Sequence, residues 1–209
     1  MRLVKVLLLA LLGAVLLPAM MLPQITAIAQ PREQASVVVV FVDRVTQGEK
    51  EWVTTRIREF LGNKVNGLYR IVPGASFEAG VKRLNADSGA DEKALFLLLA
   101  DAGADYALVA ELTNLKESGS MGMFRSAKNA NVGLNVKILD LVNGGFLKQG
   151  RFTGKAIDDN TVVSVEDRLV ALFTINSQEI TASALDKLLF QVGEIISFNL
   201  PLAPPVKKP

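Results

Sequence analysis

The sequence contains no cysteine and no histidine, and these two absences exclude most familiar kinds of reactive site. Without cysteine there is no disulfide framework, no thiolate nucleophile, no iron–sulfur cluster and no lipid-bearing cysteine. Without histidine there is no Ser-His-Asp triad and no histidine-built zinc or copper site. An enzyme with this inventory would have to rely on carboxylates, on lysine, or on a serine or threonine nucleophile.

Common catalytic and cofactor-binding motifs are missing as well. The sequence has no Ser-x-x-Lys spacing, no G-x-x-x-x-G-K-[ST] phosphate loop and no G-x-G-x-x-G loop. The acidic clusters at 87–92 and 158–160 do not match a calcium loop, which needs glycine at its sixth position and glutamate at its twelfth. We therefore predict no catalytic residues, no cofactor and no metal site.

The N-terminal segment has the three parts of a secretory signal peptide. Arg2 and Lys5 precede an apolar run at 6–22, and Ala27-Ile28-Ala29 forms a small-x-small cleavage site ahead of Gln30. The apolar run is shorter than the ~20 residues that a membrane-spanning helix needs. We therefore expect cleavage after Ala29 and export to the periplasm or another extracytoplasmic location, with retention of the leader as a membrane anchor as the alternative.

Removal of this leader would leave a neutral chain. It carries two of the 23 basic residues and none of the 21 acidic ones, so 21 of each sign remain. That balance does not indicate the basic patch or stripe that nucleic-acid binding requires. Four of the eight prolines lie in the last nine residues. The expected organisation is a signal peptide at 1–29, a linker at 30–36, a single domain at 37–199 and a flexible proline-rich tail at 200–209, without a transmembrane segment after cleavage.

Hydrophobic patterning in the first half of the domain predicts alternating strands and helices. The β-branched run Val37–Val42 is typical of a strand that is buried on both faces. An amphipathic helix follows, which we expect to end at Gly62, and then a short strand at Leu68–Val72. This order predicts a parallel pair of strands. Two further helices and a strand at Tyr106–Ala110 come next.

Patterning in the second half predicts an antiparallel hairpin and a final helix. Apolar and polar residues alternate at 132–138, as in a half-buried strand, and Asn143-Gly144-Gly145 is a hairpin turn signal before a return strand at Phe146–Ile157. The segment between Leu115 and Val132 is polar and is predicted to be a loop. The fold class is therefore mixed α/β, with the order β-α-β-α-α-β-β-β-α and a mixed sheet of about five strands with helices packed on it.

Two segments resemble a family of envelope proteins. Gly103–Glu111, which reads GADYALVAE directly after a helix, and Val136–Gly144, which reads VKILDLVNG, are similar to motifs of the curli-secretion-channel lipoprotein family. Its relatives include outer-membrane activators of penicillin-binding proteins and the N-terminal domain of the TolB protein. The resemblance covers about 37–156 and implies a periplasmic α/β domain that works through contacts with envelope proteins, often as a homo-oligomer.

The chain departs from this family in two respects. It has no lipid-bearing cysteine, which argues against anchoring at the outer membrane. The secretion channel also inserts long hairpins into its membrane pore, and each membrane-crossing strand needs about 9–11 residues of alternating apolar and polar character. The insert between Leu115 and Val132 does not have that pattern twice, so the sequence argues against a pore subunit.

Four residues are predicted to have structural roles, and two acids are the only suggestion of catalysis. Gly103 is expected to end a helix, and Asp105 to accept backbone hydrogen bonds where the next strand begins. Asp140 and Gly144 are expected to close the hairpin turn. Glu111 with Asp140 is the one carboxylate pair that we suggest for hydrolysis of a glycosidic bond, because both lie at strand positions.

The predicted partner-binding residues are Met121, Met123 and Phe124. They are apolar side chains between glycines at the tip of a connection between strands, and exposed methionine and phenylalanine adapt well to partner surfaces. The alternative is that the loop folds back and buries them. The favoured function is an exported, non-catalytic binding, assembly or regulatory protein of the cell envelope. The alternative function is a carboxylate-dependent hydrolase of cell-wall polysaccharide.

Overall fold

The structure is a computed structural model that describes residues 34–45, 50–84, 89–121, 125–161 and 177–207. The predicted signal peptide lies outside the described residues. The elements are β1 (Ser36–Asp43), α1 (Glu51–Val65), β2 (Arg70–Pro73), α2 (Ala75–Arg83), α3 (Gly89–Ala100), β3 (Tyr106–Met121), β4 (Arg125–Asp140), β5 (Gly145–Thr161) and α4 (Ser177–Asn199). Their order confirms the predicted mixed α/β fold.

One five-stranded sheet organises the domain, in the order β2-β1-β3-β4-β5. β1 is parallel to both of its neighbours, whereas β3, β4 and β5 are antiparallel to one another. The position of β1 between two other strands, with both faces covered, explains its continuous apolar run, because Val37 on one face and Val38 on the other are both fully buried. The parallel β1–β2 pair and the antiparallel β4–β5 hairpin are both as expected from the sequence.

Two helical layers cover the sheet. α1 and α4 cover what we call the first face, on which Phe41, Leu108 and Leu134 are buried against α1 residues Val53, Ile57, Leu61 and Val65 and α4 residues Leu185, Leu188, Val192 and Ile196. α2 and α3 cover the second face, on which Val38, Val40, Val109 and Leu139 are buried against Val81, Leu95 and Leu99. None of the helices described has the length and apolarity needed to cross a membrane.

The central hairpin is much longer than the sequence suggested. The predicted polar loop after Leu115 is wrong: β3 continues to Met121 and β4 begins at Arg125, and the two strands remain paired over this whole stretch. Asparagine, serine and glycine are weak strand formers, so composition alone disfavours a strand here. Cross-strand pairing with β4, which itself pairs with β5, outweighs that local preference.

The end of α1 also differs from the prediction. The sequence predicts that Gly62 ends the helix, but α1 continues to Val65, and the glycine with a positive φ in the turn after it, 77°, is Gly67. Leu61 and Val65 extend the buried stripe of the helix, and their packing offsets the low helix propensity of glycine. The helix therefore ends where its buried stripe ends.

The segment after α4 is predicted to be a flexible tail. In the structure, its backbone accepts hydrogen bonds from two tyrosine side chains of the domain. Leu200 is buried, and its carbonyl oxygen accepts a hydrogen bond of 2.9 Å from the Tyr69 hydroxyl. The carbonyl oxygen of Ala203 accepts a second, also 2.9 Å long, from the Tyr106 hydroxyl. Two tyrosines thus hold the chain beyond the last helix.

Candidate functional site

Gly103 and Asp105 lie where β3 begins beside β1. Gly103 has a φ of 62°, which favours glycine at this position after α3. The Asp105 carboxylate accepts hydrogen bonds of 2.7 Å from both the backbone N–H and the hydroxyl of Ser36, and the Asp105 backbone N–H donates to the Ser36 carbonyl oxygen at 3.1 Å. The carboxylate therefore joins the first residue of β1 to the residue that precedes β3.

Asp140 and Gly144 lie at the turn between β4 and β5. One Asp140 carboxylate oxygen accepts hydrogen bonds from the backbone N–H groups of Val142, at 3.1 Å, and Asn143, at 2.9 Å. The other accepts from the Asn143 side-chain amide at 2.8 Å. Gly144 has a φ of 69° and donates its N–H to the Asp140 carbonyl oxygen. Both carboxylate oxygens thus stabilise the turn.

The structure does not bring Glu111 and Asp140 together. Glu111 is opposite Asn135 in the β3–β4 ladder, whereas Asp140 is opposite Tyr106. Five positions along a strand amount to about 17 Å, and an odd separation directs the two side chains to opposite faces of the sheet. The suggested catalytic pair therefore does not form.

Only the backbone of one predicted partner-binding residue is described. Met121 is the last residue of β3 and is opposite Ser126 of β4. Met123 and Phe124, and the side chain of Met121, lie outside the described residues. A role for these residues in binding stays a prediction.

A group of polar side chains occupies the second face of the sheet beside the helices. Glu111, Asn135 and Arg151 are directly opposite one another on β3, β4 and β5, and Lys137 is directly opposite Gln149. Two-residue spacing places all five on the same face, and we call them the polar patch. The patch lies directly beside the core of the second face, because Glu111 is opposite Val42 and Lys137 is opposite Val109.

Burial makes the polar patch unusual. Glu111 is only 2% exposed, and Asn135 and Lys137 are each 8% exposed. The side-chain oxygen of Asn135 is buried without a hydrogen-bond partner in the described part of the chain, as is that of Asn131, four residues earlier in β4. An unpaired buried acceptor costs about 1–3 kcal/mol, so these oxygens favour a donor from outside the chain.

Arg44 neutralises one end of the patch. Its Nε lies 2.5 Å from the Glu111 carboxylate. Its guanidinium also donates to the carbonyl oxygens of Lys82 and Leu84, both at 2.9 Å, at the end of α2. The buried charge of Glu111 is therefore compensated by Arg44.

A cleft of about 280 Å³ opens between the polar patch and α3. Its charged residues are Glu92 from α3, Lys137 and Arg151, so the lining carries one net positive charge. The amides of Asn135 and Gln149 complete its polar lining. The lining therefore offers both hydrogen-bond donors and acceptors to a small polar ligand.

A second ionic contact joins the hairpin to the helices on the first face. The Glu117 carboxylate lies 2.5 Å from Lys50 Nζ and accepts a hydrogen bond from the Thr181 hydroxyl. Burial alone raises the pKa of Glu117, but the hydrogen bonds from Lys50 and Thr181, with the charges of Lys50 and Lys128, outweigh it and lower the pKa. This contact stabilises the distal part of β3 against α4.

No protein-family model matches the sequence, and no curated protein matches it. Several solved structures match the chain at low sequence identity. Hypothetical protein CT253 from Chlamydia trachomatis has 10% identity and a TM-score of 0.44, over 80% of this chain and 98% of that one. Lipoprotein GNA1162 from Neisseria meningitidis has 18% identity and a TM-score of 0.37, over 69% and 98%. The LpoB C-terminal domain from Salmonella enterica has 17% identity and a TM-score of 0.30, over 60% and 86%.

These similarities concern bacterial lipoproteins and related α/β domains. At such identities and TM-scores they support no conclusion about function. Within the described residues, no group of three or more acidic side chains is placed to hold a metal ion. The function must therefore be argued from the chain's own residues.

Sequence reasoning missed the polar patch. The alternation at Asn131, Gly133, Asn135 and Lys137 by itself indicates only the solvent side of a half-buried strand. A second signal was the same alternation in β5, where Gln149 and Arg151 precede Thr153 and Lys155. Only the register of the two strands shows that these residues share one face.

Proposed function

We propose that this chain is an exported, non-catalytic binding protein of the cell envelope, which assembles or regulates other proteins by contact. Its export is supported by the leader at 1–29, with its basic start and Ala27-Ile28-Ala29 cleavage site. Its action by contact with other proteins is supported by the polar side chains on the second face of β3, β4 and β5.

The observation that carries the proposal is the pair of buried amide oxygens on this face that have no hydrogen-bond partner among the residues that the structure describes. Asn131 and Asn135 lie in one row on β4, and the neighbouring strand β5 presents the exposed side chains of Arg151, Thr153 and Lys155 on the same face. A partner that donates hydrogen bonds here would remove the cost of the unpaired acceptors. Long, polar, adaptable side chains around such a centre are typical of the rim of a protein interface.

Site-specific crosslinking tests this proposal cleanly, because the chain has no cysteine of its own. Thr153→Cys places a single thiol on the exposed second face of β5, and Thr55→Cys places one on the exposed side of α1 as the matched control. Each purified variant carries a photocrosslinker on its thiol and is illuminated with envelope extract. We expect a discrete crosslinked protein, identified by mass spectrometry, from Thr153→Cys and not from Thr55→Cys.

Three results would contradict the proposal. The first is the same crosslinked products from both positions. The second is recovery of the chain in the cytosolic fraction of fractionated cells. The third is hydrolysis of purified cell-wall polysaccharide by the wild-type chain that is lost in Glu111→Gln, which would favour the enzyme instead.

The hairpin tip gives an independent prediction. Replacing Met121, Met123 and Phe124 together with serine is expected to leave thermal stability nearly unchanged, because they are predicted to be surface residues of a binding loop. Association with a partner or with a second copy, measured by light scattering after size exclusion, should weaken. Unfolding of the triple variant at ambient temperature would show that these side chains belong to the core.

A further inference from the structure

We propose that the proline-rich segment at 200–207 is displayed as a ligand for a partner protein that has an aromatic groove bordered by carboxylates. The domain binds one side of the segment's backbone, and the other side, with apolar side chains and a lysine, faces solvent. This inference goes beyond the proposed function, because the surface concerned is separate from the second face of β3, β4 and β5.

Three backbone carbonyl oxygens anchor the segment at one end of the sheet. Two of them accept the hydrogen bonds from Tyr69, which directly precedes β2, and Tyr106, which begins β3. The third, that of Val206, accepts a longer hydrogen bond of 3.4 Å from the side-chain amide of Asn143, which follows β4. The acceptors are residues 200, 203 and 206, and an interval of three residues is the repeat of a polyproline II helix.

The prolines restrict the backbone of the segment before any partner binds. Pro201, Pro204 and Pro205 each hold φ at about −65°. Leu200 and Ala203, whose carbonyl oxygens are anchored, each precede a proline, and this position favours extended backbone. The first two prolines have the P-x-x-P spacing that aromatic grooves recognise. A segment that is both restricted and anchored loses less conformational entropy on binding.

The side of the segment that faces solvent is apolar. Leu202 is 63% exposed and Val206 is 86% exposed. Ten large apolar side chains are exposed in the described part of the chain, and six of them belong to residues within two positions of an anchored carbonyl or its donor. These six are Leu68, Ile71, Val142, Phe198, Leu202 and Val206. Exposed apolar side chains grouped in this way are typical of a protein-binding surface.

The charges next to the segment favour an acidic partner. Lys207 is exposed, Lys208 follows it, and no acidic residue occurs after Glu194. Two cations beside a proline-rich segment are complementary to an aromatic groove with carboxylates at its border. A lipid surface is disfavoured, because an extended segment outside the described strands has backbone N–H groups that hydrocarbon does not satisfy.

Crosslinking beside the segment tests the proposal. Ser197→Cys places a single thiol on the exposed side of α4, close to the segment. Ser183→Cys places it on the exposed side of the same helix, about 21 Å away, as the matched control. Each purified variant carries a photocrosslinker and is illuminated with envelope extract. The competitor is an acetylated peptide with the sequence of residues 200–209. We expect a product from Ser197→Cys alone, which this peptide suppresses and the same peptide with alanine in place of its prolines does not.

Further changes in the Ser197→Cys chain test the chemistry of the surface. Leu202→Ser and Leu97→Ser replace two leucines of similar exposure, 63% and 70%, so both should leave stability to urea unchanged. We expect Leu202→Ser to lower the yield of product at least about fivefold and Leu97→Ser to leave it unchanged. Replacing Lys207 and Lys208 together with glutamate should also lower it at least about fivefold.

The anchoring has its own test. Tyr106→Phe keeps the aromatic ring but removes the donor to the Ala203 carbonyl oxygen. As an unlabelled competitor, this full-length variant should be needed at about tenfold higher concentration than the wild-type chain, because its segment is less restricted before binding. Equal competition by the two chains would refute the role of the anchors.

Several results would overturn the inference. They are the absence of a product from Ser197→Cys, a product that the peptide does not suppress, and equal yields from the two leucine variants. A crosslinked dimer of the chain would identify a second copy as the occupant instead. Flotation of the chain with vesicles of phosphatidylethanolamine and phosphatidylglycerol, lost in Leu202→Ser, would identify a membrane. Crosslinking at Thr153 lies on another surface and remains a separate test of the proposed function.

Discussion

Gly154 of β5 lies directly beneath α4, and its replacement by alanine tests how the first face is packed. A Cβ atom at this position would lie 1.8 Å from the Ala184 carbonyl oxygen and 2.9 Å from Leu188 Cβ. The nearest obstacle is helix backbone, which cannot rotate away as a side chain can. α4 must therefore move by more than about 1 Å, and overpacking of this kind costs up to about 3 kcal/mol of unfolding free energy.

Urea unfolding measures this cost. For a domain of this size the free energy falls by about 2 kcal/mol per molar urea, so Gly154→Ala should lower the midpoint by about 1.5 M. Gly119→Ala is the matched control: it is also a strand glycine, but the nearest atoms to its added Cβ are 3.8 Å away. We expect the control to stay within about 0.5 kcal/mol of the wild type.

The result that would refute the reasoning is a Gly154→Ala variant with the midpoint of the wild type. It would mean that α4 does not lie against β5 at this position, or that the helix shifts without cost. A large effect in Gly119→Ala would also contradict the argument, because it would show that any side chain disturbs these strands.

Three other changes test individual contacts. Arg44→Met leaves the Glu111 carboxylate buried without its cation and should cost about 2–3 kcal/mol in urea unfolding, and a loss below about 1 kcal/mol would contradict the ion pair. Burial, followed by the charges of nearby carboxylates, raises the pKa of Tyr106 to about 12, so stability should be full below about pH 10 and fall towards pH 12. Tyr106→Phe should reduce this loss of stability at high pH, and an unchanged dependence of stability on pH would contradict the role of Tyr106. Because its pKa is lowered, the ionised Glu117 carboxylate stabilises the fold at pH values above its ordinary pKa near 4.5, and this stabilisation is lost as the pH falls. Glu117→Gln should therefore remove this loss of stability at acid pH. A variant that still shows the same loss would contradict the assignment to Glu117.

The sequence was sufficient for elements in which local pattern and burial agree. Val37–Val42 is apolar on both faces because β1 has a parallel neighbour on each side and a helical layer on each face. The stripe Val53, Ile57 and Leu61 likewise repeats at the helical period because one side of α1 is buried. In these segments the type of each residue, apolar or polar, matches the burial of its own position.

The distal hairpin and the polar patch could not be predicted in the same way. Residues 116–120 are polar or glycine and extend beyond the main core, so their composition predicts a loop, whereas pairing with β4 makes them part of a strand. The patch depends on register: a slip of one residue would turn Asn135 and Lys137 to the first face and separate them from Arg151. Register depends on the pairing of several strands, so the sequence of one strand alone does not determine it.

The sequence by itself determined the order of strands and helices, the absence of thiol and imidazole chemistry, and the prediction of an exported chain, because each follows from residue types or from local periodicity. Only the tertiary structure decided that Glu111 and Asp140 face opposite sides of the sheet, and that Asn135, Lys137 and Arg151 share a cleft with Glu92. The physical reason is that side-chain direction alternates along a strand, so residues far apart in sequence become neighbours only when the pairing of strands brings them together.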